Sequence, residues 1–263
     1  MKNSLNREVP NGMTGFVSSD KYKNNQRLLR KEKDLSKEIK FFERLEDAFD
    51  FFNIQSNQTF SFHHHLRNGD EVINQVCEMI HHRNLTNISL APSSIFPSYL
   101  GINMLIEEKR IKDIYTSYLN GDASSLIQKG YLSGLLHMQT HGGRARSIES
   151  EELSIDFAFL ATPTVDKNGN GSGAVGPSSC GTLGYAISDL HYAKKVILVT
   201  DHLVDKLDTY QFDGRYVDGV VVVSSIGRRE GIVSGTTKIT RDPIGLKIAK
   251  YTAFILDKLN IIK

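Results

Sequence analysis

Apolar positions in this chain change period several times, and each change predicts an element. Phe41, Phe42, Leu45, Ala48, Phe49 and Phe52 recur at steps of three and four, so one helix is expected over about 31–52. "TFSFHHH" (59–65) alternates as a strand does. "DEVINQVCEMIHHR" (70–83) returns to the helical period, with Val72, Val76, Met79 and Ile80 on one side. A strand at "NISLAPSS" (87–94) precedes a helix at 97–110 that has Pro97 near its first turn. "IKDIYTS" (111–117) reads as a strand, "ASSLIQKGYLSG" as a short helix ending in glycine, and "LLHMQTH" (135–141) as a further strand. "SIDFAFLATP" (154–163) and "KKVILVTD" (194–201) are near-continuous apolar runs, as expected of strands covered on both faces. "YVDGVVVVSSI" (216–226) is another strand, and 242–259 closes as a helix with Asp242 placed to cap it and Pro243 in its first turn.

Alternating strands and helices predict an α/β fold, a Rossmann-like and mostly parallel sheet with helices on both faces. Residues 1–20 lack any period, and the division that follows is an arm over 1–25 and one α/β domain over 26–263. Folds of this kind bind ligands at the carboxyl ends of their strands. Three segments occupy such ends: "HHHLRNGD" (63–70), "THGGRARS" (140–147) and the glycine-rich stretch at 162–184.

Composition adds limits. The chain is 40% hydrophobic and 24% charged, with a net charge of +2, too small to call for a nucleic-acid partner. The basic run at 21–40 reads as a charged helix or arm. There is no long apolar run to span a membrane and no apolar leader near the N-terminus, and the cysteines Cys77 and Cys180 make no disulfide framework. A cytoplasmic location is the expectation.

The candidate chemistry is anion recognition. His63, His64, His65, Arg67 and Asn68 lie at one carboxyl edge, and His141, Gly142, Gly143, Arg144 and Arg146 at another. Arginine grips carboxylates with a planar fork, and paired glycines let a ligand near the backbone. Gly171, Gly173 and Gly181 could offer N–H groups to an anion or phosphate. Other readings stay open. His63 and His65 with His141 could hold zinc, although no H-E-x-x-H or C-x-x-C accompanies them. Gly171, Gly173 and Gly176 spell a dinucleotide fingerprint without a tight strand–turn–helix. Asp166, Asn168, Asn170 and Gly171 spell the start of a calcium loop, but Pro177 stands where its glutamate belongs. Cys180 is either a nucleophile paired with a distant histidine or a buried thiol.

"SFHHHLRNGD", "LAPSS", "HGGRARSIESEELSIDFAFLATPTVDKNGNGSG", "CGTLGYA" and "DHLV" together resemble the alpha subunits of bacterial citrate lyase, from about residue 10 onward. The resemblance implies a fold like that of the family I CoA-transferases (the NagB/RpiA/CoA-transferase type). It implies that acetyl on an acyl carrier is exchanged for citrate, giving citryl carrier and acetate. No cofactor is then bound directly; the protein acts on the CoA-like phosphopantetheine-type group of the carrier, or on CoA. The implied partners are the citryl-lyase beta subunit and the acyl-carrier gamma subunit, with no nucleic acid and no membrane. Subunits of the family carry a second α/β half and a site between the halves, so this chain corresponds to the first half and little activity is expected of it alone. The residues themselves leave two other classes open: a nucleotide- or sugar-phosphate-binding module, and a non-catalytic fragment that docks to partner subunits.

Overall fold

In a computed structural model, residues 2, 8, 9, 11, 38–63, 65–232 and 240–261 are described. The expected N-terminal arm and His64 lie largely or wholly outside that set, as does most of the basic run at 21–40. The chain divides into two compact units, Met1–Ile232 and Val233–Lys263.

In the first unit the elements follow as β1 (Lys40–Phe42), α1 (Leu45–Phe51), β2 (Thr59–Phe62), α2 (Val72–His82), β3 (Ile88–Pro92), α3 (Leu100–Glu107), β4 (Ile111–Thr116), α4 (Asp122–Gln128) and β5 (Leu136–Met138). There follow α5 (His141–Glu149), β6 (Phe157–Ala161), β7 (Thr164–Asp166), β8 (Gly171–Ser172), α6 (Ile187–Tyr192), β9 (Lys195–Thr200), β10 (Leu203–Val204) and β11 (Gly219–Val222). Eight strands form one sheet in the order β1-β11-β9-β6-β2-β3-β4-β5. Every pairing in it is parallel.

β2 lies between β3 and β6. From β2 the chain builds outward through β3, β4 and β5, then returns beside β2 with β6 and builds the other way. The end of β2 is therefore a topological switch point, where adjacent connections leave in opposite directions and a crevice opens.

Strand alternation assigns the two faces. Phe157, Phe159, Ile197 and Val199 share a core with Ala48, Val76, Ile102 and Leu105 of α1, α2 and α3. Ala158, Leu160, Val196 and Leu198 face the other core, with Ile148 of α5 and Leu190 of α6. Phe60 and Phe62 point to the first face, where Phe62 stacks on Phe159 and Phe60 meets it edge-on. Ser61 then faces the second, beneath α5 and α6.

Three expectations need correction. The helical stripe at 41–52 is split: Lys40–Phe42 is an edge strand beside β11, and the helix starts only at Leu45. Long-range pairing with Gly219–Val221 overrides the local period there. The segment expected to be a strand to residue 141 ends at Met138, and "HGGRARSIE" is helix α5, capped by the Thr140 hydroxyl accepting from the Gly143 N–H at 2.9 Å. The glycine-rich stretch, from which no strand was expected, supplies β7 and β8 of a small sheet completed by β10.

The second unit holds α7 (Pro243–Lys258), capped as expected by Asp242, whose carboxylate accepts from the Gly245 N–H. Ile244, Ile248, Tyr251, Ile255 and Leu259 run along it and are exposed.

Candidate functional site

β2 ends at Phe62, and the next residues stand at the switch point. His63 is buried, with its ring stacked on His65 at 4.3 Å between centroids. Tyr185 meets His63 edge-on at 5.0 Å and stacks on His141 at 5.3 Å. The Tyr185 hydroxyl donates to the His141 carbonyl at 2.8 Å and lies 3.5 Å from the Ser117 hydroxyl. His65, His63, Tyr185 and His141 thus form one ladder of rings. It joins two of the three segments singled out from sequence.

The ladder is open at one end. His141 and Gly142, at the first turn of α5, are exposed, and a side chain built at Gly142 would touch nothing within 4 Å. At the other end both ring nitrogens of His65 are covered. Burial pushes its pKa down to about 4, against the pull of the Asp189 carboxylate and the Ala161 carbonyl. At neutral pH His65 is an uncharged ring.

Arg144 was expected to offer its fork to a ligand; the fork is already occupied. The residue is fully buried, and Nη1 and Nη2 donate to the two carboxylate oxygens of Asp189 at 3.0 and 2.9 Å. Nη2 also reaches the Ser61 hydroxyl at 2.7 Å and the Ala91 carbonyl at 2.9 Å. Burial opposes its charge, but the Asp189 carboxylate outweighs that and lifts its pKa above the usual arginine value. Helix geometry is the reason: β5 stops early, α5 begins at His141, and residue 144 turns inward onto the sheet. Arg146, two positions on and so on the opposite side of the helix, is an exposed partner of Glu152.

The turn after the histidines has its own features. Arg67 is half-buried and has φ +52°, an uncommon conformation for a residue with a long side chain. Asn68 lines a concavity of about 320 Å³ with Gly69, Arg228, Glu230 and Gly231. The Gly69 carbonyl accepts from the Arg228 N–H at 2.9 Å, which ties this turn to the loop after β11. Asp70 is buried and accepts from the Ile73 N–H at 3.2 Å; burial raises its pKa to about 7.

The glycine stretch does not turn its N–H groups toward a ligand. Gly171 N–H donates to the Phe212 carbonyl, Gly173 N–H to the Gln211 side chain and Gly181 N–H to the Gly173 carbonyl. Two of the three glycines of the dinucleotide fingerprint are therefore bonded within the protein. The Asp166 carboxylate is likewise spent, accepting from the N–H groups of Asn168, Asn170 and Leu207 and from the Asn170 side chain. Burial pushes the Cys180 thiol up to about 11, which favours the inert-thiol reading over the nucleophile. Among the described residues no group of three or more histidine, cysteine, aspartate or glutamate side chains is placed to hold a metal ion.

Ser61, Tyr185 and Asp189 were not singled out from sequence. The available signal was periodicity: Ser61 is the polar residue between two core phenylalanines, and Tyr185 and Asp189 lie one helical turn apart in "GYAISD".

Residues 38–261 match the family described as citrate lyase, alpha subunit (CitF). The citrate lyase alpha chain of Haemophilus influenzae is 36% identical over 222 residues, covering 84% of this chain and 44% of its own length. That of Klebsiella pneumoniae is 34% identical over 256 residues, covering 97% and 50%. A structure from Streptococcus mutans, described as an alpha subunit of citrate lyase in complex with citrate, superposes with a TM-score of 0.76 at 34% identity, covering 96% of this chain and 51% of that one. An acyl-CoA transferase from Escherichia coli O157:H7, at 12% identity and a TM-score of 0.54, shares the fold and covers 80% of this chain and 54% of its own. The chain spans about half the length of the curated relatives it matches. The expected α/β architecture is present, a parallel eight-stranded sheet with helices on both faces. With a family match that extends from residue 38, ahead of β1, to residue 261, past α7, the chain belongs to the citrate lyase alpha subunit family.

Proposed function

We propose that this chain supplies the citrate-holding part of a citrate:acetyl-carrier transferase. The observation that carries the reading is the convergence of His63 and His141 on Tyr185 at the switch point, beside the open first turn of α5. Imidazoles and the N–H groups of a helix start are suited to carboxylates. The relative from Streptococcus mutans was solved with citrate.

The reaction asks for positioning more than for a nucleophilic side chain. A citrate carboxylate attacks the carbonyl of the acetyl thioester, and the carrier thiolate leaves as a mixed anhydride forms. The thiolate then attacks the citryl carbonyl and expels acetate. Holding the trianion against the thioester can contribute up to about 7–11 kcal/mol in the best intramolecular cases. His141 would hold a carboxylate at the open turn, and His63 and uncharged His65, whose ring nitrogens are covered, would set and stiffen the ladder beneath it. The working partners in this reading are a citryl-lyase beta subunit and an acyl-carrier gamma subunit bearing the phosphopantetheine-type group, in the cytoplasm.

Calorimetric titration with citrate tests the reading on wild type, His63→Gln and His141→Gln. Binding by wild type that weakens by about tenfold or more in each variant supports it. Equal affinity in all three removes the histidines from the site. Full acetyl-for-citrate exchange by this chain with carrier alone would overturn the expectation that a second α/β half is needed.

A further inference from the structure

Under the ring ladder lies a second group of side chains, and the two are in register. Ser61 lies on β2 two residues before His63, the first residue past the strand's end, and Arg144 and Tyr185 tie the two together on one side of the sheet. Arg144 is three residues after His141 on α5, and Asp189 four residues after Tyr185 where the turn at Gly184–Ala186 runs into α6. Those steps stack side chains on one face of a helix. Each member of the buried group thus carries one member of the ladder a single structural period away.

The buried group is bonded through both Nη atoms of Arg144, while its Nε is buried without a partner among the described residues. Arg144 donates to both oxygens of Asp189, to Ser61 and to the Ala91 carbonyl of β3. Ser61 also donates to the Asp189 carboxylate. Arg144 and Asp189 are fully buried. The guanidinium carbon stands 5.9 Å from the Tyr185 ring centroid, so the two layers touch.

The geometry points to the Arg144–Asp189 pair as the positioning device of the site. It locks α5 and α6 onto the ends of β2 and β3 in the one register that sets His141 and Tyr185 against His63. The pair touches no ligand and acts through the ladder. A less polar contact could hold the helices down as firmly, because buried ion pairs replaced by apolar residues of similar volume often cost no stability. Such a contact would not fix the register, because a bidentate fork has one orientation and an apolar contact has many.

The inference deepens the citrate reading and rests on it for one arm of the test. The variant is Arg144→Met together with Asp189→Leu in the whole 263-residue chain. The readouts are its melting curve, the imidazole Cε1–H resonances of His63 and His141 (assigned with His63→Gln and His141→Gln), and citrate affinity. The expected result is cooperative melting, loss of the Tyr185 ring-current shifts from both resonances, and a fall in affinity of about tenfold or more. A pair that serves stability alone would move the melting temperature and leave the resonances where they are; that result overturns the proposal. If the double variant does not fold, Ser61→Ala takes its place. It removes one hydroxyl from the group and must move the same resonances in the same direction, and no movement overturns the proposal. If wild type binds no citrate, the citrate reading fails by itself, and the resonances still decide the positioning role.

Discussion

Two glycine-bearing segments in this molecule use the residue for opposite ends. At the start of α5, Gly142 is exposed and a methyl group there would meet nothing within 4 Å. In the stretch after β6, Gly173 is buried, and a methyl group would lie 2.2 Å from the Gly181 carbonyl oxygen and 2.8 Å from Leu183. The first glycine leaves room for something outside the protein, the second for the protein itself. Glycine count and strand-end position look the same in both. What differs is where the N–H groups go, and that is decided by long-range partners such as Phe212 and Gln211.

The largest effect tests the closed segment. Gly173→Ala drives a methyl against the Gly181 backbone carbonyl, while the Gly173 carbonyl accepts from the Cys180 and Gly181 N–H groups and so holds the two segments together. The expected loss is about 3 kcal/mol or more, as for severe overpacking. Urea unfolding measures it. A loss below about 1 kcal/mol, within the ordinary scatter of point substitutions, would show that the stretch is as open as Gly142.

Next comes the covered end of the ladder, which makes the open end significant by contrast. His65 has a folded pKa of about 4 against an ordinary value of 6.5. As pH falls through about 6.5 the unfolded chain takes up a proton that the native ring refuses, so stability is lost down to about pH 4 and then levels off. The shift corresponds to about 3 kcal/mol at most. Asp70 works the other way: its pKa is raised to about 7, so the native state takes up the proton first and gains stability as pH falls from about 7 toward the usual carboxylate range. The two contributions oppose each other, so differences are the measurement. The stability of wild type minus that of His65→Gln should fall between pH 7 and pH 4, and the same difference for Asp70→Asn should rise. A flat His65 difference would mean that its ring is hydrated and the ladder open along its length.

A smaller effect separates close approach from backbone strain within the same stretch. Gly181 has φ +92° but no neighbour within 4 Å of an added methyl. Gly181→Ala should therefore cost about 1–2 kcal/mol from conformation alone, clearly less than Gly173→Ala. Equal losses in equilibrium unfolding would erase the distinction between the two positions.

Much of the fold was legible in the sequence. The double-sided apolar runs at 154–163 and 194–201 became the central strands β6 and β9, and the capped helix at the end became α7. Local period and capping carry that much. The site was legible only in part. His63 and His65 do follow the end of β2, His141 opens a helix where a strand was expected, and the structure joins all three rings. The residue that joins them, Tyr185, follows a glycine stretch with no period of its own. Arg144 misled because "HGG" reads as an opening in the backbone, while the Thr140 cap that turns it into a helix is a single hydroxyl. Its charge signalled a ligand, yet the partner was Asp189, 45 residues away in the chain. No local pattern announces a pairing of that range.

The smallest stability effect belongs to Gly142, and it bears most directly on the open side of the comparison. The residue sits in the first turn of α5 with ordinary helical space around it. Alanine is favoured over glycine in a helix, so Gly142→Ala should leave stability unchanged or raise it by about 0.5 kcal/mol. If a citrate carboxylate approaches the N–H groups of that turn, the new methyl stands in its path, and affinity should fall by about tenfold while the melting temperature holds or rises. Stability and binding would then move in opposite directions in one variant, which no damage to the fold can produce. Unchanged affinity would mean that the space beside Gly142 is ordinary solvent, and the ligand would have to sit nearer the face of the His63 ring. A fall in both affinity and stability would mean that Gly142, like Gly173, is there for the protein's own packing.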